Sequence, residues 1–83
     1  MFSHSPSYDE LTASISEAYP SLSKQLQQIA RFALERPNEL ALGTVAAVAE
    51  AAGVQPSALI RFANALDFGG FSEMQQVFRA RLI

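Results

Sequence analysis

The sequence predicts an all-α domain, a bundle of five helices, and three observations carry that prediction. Apolar residues recur at spacings of three and four through every long segment, as in helices that turn one face to a core. Period-two alternation of β-branched residues, the mark of a half-buried strand, occurs nowhere. Proline, glycine and hydroxyl residues fall at the joints between the periodic segments, where helices start and stop. At 83 residues the chain is long enough for one core and too short for two, so residues 1–83 are read as a single domain. Hydrophobic residues at 49% against charged ones at 17% exclude the composition of a disordered chain.

Each element has a local reason. Ser7 and Glu10 have capping-box spacing, and Leu11, Ile15 and Ala18 then share a stripe, predicting a helix over 8–18 behind a short tail within residues 1–20. Pro20 stops it. Ser21 or Ser23 caps the next, whose Leu22, Leu26, Ile29, Ala30 and Ala33 face inward. It ends near Arg36, because the residue before Pro37 is pushed out of the α region. Residues 37–40 predict one helical turn or a turn connection. Thr44 is placed to cap a helix with Val45, Val48, Ala49 and Ala52 inward, closed by Gly53 in a left-handed conformation. Gln55-Pro56 opens a further helix to about Leu66, proline being tolerated where its missing N–H would have no partner. After the loop at 67–70, Ser72 and Gln75 repeat the capping-box spacing, and Phe71, Met74, Gln75, Phe78 and Leu82 line a last helix running to the end of the chain.

Composition narrows the function classes. There is no cysteine, hence no disulfide, thiolate metal site or cysteine nucleophile, which fits a cytoplasmic setting. Residues 1–7 lack a signal-peptide pattern, and no apolar run approaches the roughly 18 residues of a membrane span. The net charge of −2 is unevenly spread. Residues 1–20 hold Asp9, Glu10 and Glu17 without a cation, whereas residues 21–83 hold all six cations against five carboxylates, 6 − 5 = +1.

The informative spacing is Val48-Ala49-x3-Gly53-Val54-x4-Leu59-x2-Phe62, the pattern of a helix-turn-helix over residues 44–66. Two short helices that cross steeply need a small residue where they touch, Ala49, and a residue that accepts positive φ at the turn, Gly53. Val54, Leu59 and Phe62 pin the second helix. Its opposite face then presents Ser57, Ala58, Arg61, Asn64 and Ala65, narrow and polar enough for a DNA major groove. Arg61 suits guanine O6/N7, Asn64 adenine N6/N7, Ser57 either, and Ala58 a thymine methyl. The amides of Thr44 and Val45 open the first helix of the pair and suit a phosphate. The expected DNA-binding residues are therefore Thr44, Val45, Gln55, Ser57, Ala58, Arg61 and Asn64.

These residues resemble a known family. Leu22-Ser23, Ile29-Ala30-x-Phe32, Pro37, Val48-Ala49-Glu50-Ala51-Ala52-Gly53-Val54, Arg61-Phe62 and Phe68-Gly69-Gly70-Phe71-Ser72-Glu73 are similar to the N-terminal domain of RpiR-type transcription regulators. The resemblance implies a five-helix, homeodomain-like or winged-helix-like fold lacking a well-formed wing, with residues 55–66 as the recognition helix. It also implies a homodimer on double-stranded, pseudo-palindromic operators, control of sugar or phosphosugar genes, and a separate C-terminal sugar-isomerase-like domain outside these residues that senses phosphosugars. The chain departs from the family where many members carry basic residues, at Asn64 and Ala65, a hydroxyl residue, at Ala58, and a glycine, at Asp67.

Two other classes compete. Catalysis needs an acid, base or nucleophile in a defined site, and His4 reads as a solvated tail residue while Pro37 interrupts the helical spacing of Glu35 and Glu39. No enzyme, metal or cofactor is expected. A helical interaction or dimerisation module without DNA binding would use the first helix or the apolar face over 71–82. Arg36, Arg79 and Arg81 are candidates for backbone contacts or for solvated surface.

Overall fold

The capping signals in the sequence set most of the helix boundaries. The computed structural model describes residues 6–82, and His4 lies outside them. Ser7 Oγ accepts from the Glu10 amide while the Glu10 carboxylate accepts from the Ser7 amide, so the capping box opens α1, Tyr8–Ala18. A 3₁₀ turn at Tyr19–Ser21 follows, with Pro20 inside it. Of the two candidate serines, Ser23 caps α2, Lys24–Glu35. Arg36 leaves the helical region ahead of Pro37, as its neighbour's ring demands.

Residues 37–40, expected to form one helical turn or a turn connection, begin a longer helix, α3, Pro37–Leu42, with Leu40 and Ala41 buried. Among the described residues this raises the count of α-helices to six. The remaining helices are α4, Val45–Ala52, α5, Pro56–Ala65, and α6, Phe71–Ala80. Among the described residues there is no strand, and no helix is long and apolar enough to cross a membrane.

The start and the end of α6 depart from expectation. No side chain caps it: its N-cap is Gly70, and the Glu73 carboxylate accepts from the Gly69 amide at 3.0 Å. Gln75 is freed from the expected capping box because it is buried against α3, donating through Nε2 to Leu40 O at 3.0 Å and Gly43 O at 2.7 Å. The helix stops at Ala80, and Leu82, expected on the buried face, is exposed.

Packing follows the apolar stripes. α5 is the central element, lying against α2, α4 and α6, with Leu59, Phe62 and Ala63 sealed from water. α3 lies along α6, where Gln75 and Arg79, the latter donating to Ala41 O at 2.8 Å, close the last carbonyls of α3. These groups would otherwise lack partners at a helix end. α1 is held on α6 by an edge-to-face pair, Tyr8 against Phe78, with ring centroids 5.4 Å apart. Arg81 also lies over the Tyr8 ring, 4.8 Å from its centroid, and bonds Asn38.

Candidate nucleic-acid interface

Thr44 sits in extended backbone before α4, and its Oγ1 accepts from the Ala47 amide at 3.1 Å. It is exposed, and Val45 beside it is half-buried. Three residues, Gly53, Val54 and Gln55, separate the last of α4 from the first of α5. Gly53 adopts φ 76°, ψ 33°, its amide bonding Glu50 O at 3.2 Å while Val54 N bonds Ala49 O at 3.0 Å. That pair of bonds is a Schellman closure, which turns the chain sharply while satisfying helix-end carbonyls. Gln28 of α2 supports the turn from outside, donating to Ala52 O at 2.6 Å. A Cβ at Gly53 would lie 2.9 Å from Gln28 Nε2, so a side chain there is strained by its positive φ and would also push the Gln28 amide aside.

Gln55, extended and exposed, precedes Pro56 at the first position of α5. The far end of α5 closes in the same way as α4. Phe68 N bonds Ala63 O at 2.9 Å and Asp67 N bonds Asn64 O at 3.0 Å, with Asp67 at φ 71°. Asp67 thus takes the left-handed conformation, an accommodation that aspartate makes more readily than most residues.

Of the expected base-reading residues, Ser57, Arg61 and Asn64 are exposed together on α5. Their spacings of three and four put them on one side of the helix. Ala58 does not join them. It is fully buried in the core, because α5 is covered from several directions at once and its buried sector is wider than a single stripe. Ala58 therefore cannot meet a thymine methyl, and its small size serves close helix packing instead.

Sequence reasoning missed three residues here. Ile60 is 47% exposed and sits four residues before Asn64, adding the one large apolar group to the exposed side of α5. Its signal was available, since it falls outside the stripe of Leu59, Phe62, Ala63 and Leu66. Gln25 accepts at Oε1 from Arg61 Nη2 at 2.8 Å, and Gln28 backs the turn. Both stand on α2, and their partners lie more than twenty residues away in sequence, so no local pattern reveals them.

The cations are mostly engaged within the chain. Arg31 bonds the Tyr19 hydroxyl, Arg36 pairs with Glu39 at 3.4 Å and covers the Phe32 ring, and Arg79 and Arg81 bond α3. With Arg61 on Gln25, these are five of the six cations. Lys24 alone among the described residues has no such partner. It stands one helical turn before Gln28, on the edge of α2 that borders the helix-turn-helix.

With this geometry in hand, comparison with known families is specific: the family model described as a helix-turn-helix domain, rpiR family, matches residues 9–82. No curated protein matches the chain.

Proposed function

The chain belongs to the rpiR family of helix-turn-helix domains and is a DNA-binding regulatory domain, and from that membership we propose that the exposed side of α5 reads an operator controlling sugar or phosphosugar genes. The observation that carries the reading is the exposure of Ser57, Arg61 and Asn64 on a helix whose other sides are packed against α2, α4 and α6. α5 enters the major groove with its first turns toward the base edges. Arg61 bonds guanine, Ser57 and Asn64 bond neighbouring bases, and Ile60 takes over the thymine-methyl contact that buried Ala58 cannot make. Thr44 and the amide of Val45 hold a phosphate beside it, and Gln55 lies at the groove edge.

A second copy on the other half of a pseudo-palindrome supplies the rest of the affinity. Residues 21–83 carry a charge of only +1, too little for strong binding to one half-site. A phosphosugar effector acts through a further domain of the whole protein, and regulation takes place in the cytoplasm.

Selection of duplexes from a randomised pool tests the reading. A recovered consensus built of two related half-sites is the expected result, and recovery of no consensus would sink it. Arg61→Ala should weaken binding to the selected duplex by about 1–3 kcal/mol and relax preference at one base pair per half-site. Replacing each thymine of that duplex by uracil in turn should reduce affinity several-fold at the position facing Ile60, and this sensitivity should vanish in Ile60→Ala.

A further inference from the structure

An arginine on an exposed helix face has many rotamers, and binding must pay the ordering of whichever one meets the base. Arg61 is already held. Its Nη2 donates to Gln25 Oε1 at 2.8 Å, and no other side chain among the described residues bonds the guanidinium. Gln25 is half-buried and stands on α2, outside the helix-turn-helix pair. One turn along the same helix, Gln28 is bonded to Ala52 O at the carboxyl end of α4, 24 residues away in sequence. α2 is therefore tied both to the turn and to the exposed side of α5, and the acceptor that meets Arg61 is fixed in register with the turn that aims α5.

The chemistry of that acceptor matters. An amide oxygen is neutral and holds one N–H of the guanidinium without cancelling its charge, leaving the rest of the planar fork for a base edge. A carboxylate in its place would bind roughly twice as strongly and add a negative charge facing DNA.

Resting on the reading of Arg61 as a base contact, we propose that Gln25 is a positioning residue for sequence specificity: without touching a base, it presets the Arg61 guanidinium in the orientation that meets guanine. Preorganising a group reduces the ordering cost of binding and sharpens discrimination, since misplaced donors no longer adapt to the wrong base.

The test compares the unmodified domain with Gln25→Met, Gln25→Glu, Arg61→Ala and the Gln25→Met/Arg61→Ala pair. Each is titrated with the duplex selected by the unmodified domain, with that duplex changed at one base pair at a time, and with sheared mixed-sequence DNA, and its thermal midpoint is recorded. Gln25→Met keeps the length of the side chain but not its oxygen. It should lower the ratio of selected to mixed-sequence affinity about three- to tenfold, at the base pair where Arg61→Ala also loses preference, with the midpoint unchanged. In the double variant it should cause no further loss. Gln25→Glu keeps an acceptor and should retain that base preference while weakening binding to both DNAs.

If Gln25→Met leaves the ratio intact while Arg61→Ala lowers it, the positioning role falls and base reading by Arg61 stands. Additive losses in the double variant, or a loss at a different base pair, also overturn it, because Gln25 would then act on DNA independently. If Arg61→Ala leaves the ratio unchanged, the base-reading assignment itself fails and this inference with it.

Discussion

Two helices of this domain have their carboxyl ends closed by a glutamine from a neighbouring helix, and the two closures differ in how much water reaches them. Gln75 of α6, 5% exposed, donates to Leu40 O and Gly43 O at the end of α3. Gln28 of α2 donates to Ala52 O at the end of α4 from an exposed position. The same amide chemistry therefore has different consequences. Gln75 itself is sealed from solvent, so its removal leaves the buried Leu40 carbonyl and the part-buried Gly43 carbonyl without this donor. At the surface, water can substitute, and the bond adjusts the helix-turn-helix rather than deciding whether the domain folds.

Gln75→Leu attacks the buried closure and should have the largest effect, about 3 kcal/mol of stability. For a domain of this size that lowers Tm by about 10–20 °C in a thermal melt. A shift below a few degrees would mean that α3 closes its own end and that the contrast between the two glutamines is not one of burial. Gly53→Ala comes next at about 2 kcal/mol, because it combines a left-handed residue with a Cβ that displaces Gln28. Circular dichroism in urea would measure it, and operator affinity should fall more than stability alone explains, since α5 is re-aimed. Gln28→Ala removes a part-buried bond to Ala52 O from an exposed side chain that water can replace, and should cost about 1 kcal/mol or less. If Gln28→Ala proved as damaging as Gln75→Leu, the distinction drawn from solvent access would fail.

How much of this was legible in sequence depended on whether the partner was local. Ser7 with Glu10, Thr44, Gly53 and Pro56 act within four residues of themselves, and each does what its spacing predicts. The core positions Leu59, Phe62 and Ala63 followed from the helical period. Ala58 did not, because the period assumes a single buried stripe, whereas α5 has neighbours on several sides. Gln75 satisfied a capping spacing with Ser72, yet its tertiary partner lies 35 residues away and prevails, since a buried amide bonded twice outweighs an exposed cap. Gln25, Gln28 and Arg79 were silent for the same reason. Side chains that bond distant helices, whether to a terminal carbonyl as Gln28 and Arg79 do or to a side chain as Gln25 does, have no period, so only the assembled fold reveals them.

The engagement of the arginines bears on how ionic strength enters. Attraction of a protein to a nucleic acid strengthens as condensed counterions are freed, one for roughly each phosphate neutralised. Arg31, Arg79 and Arg81 bond neutral oxygens of their own chain and keep their charge, whereas Arg36 is paired with the Glu39 carboxylate; the first three can still neutralise phosphates, but from positions that the fold sets. Added salt would then act on charges held in place rather than on freely sweeping side chains.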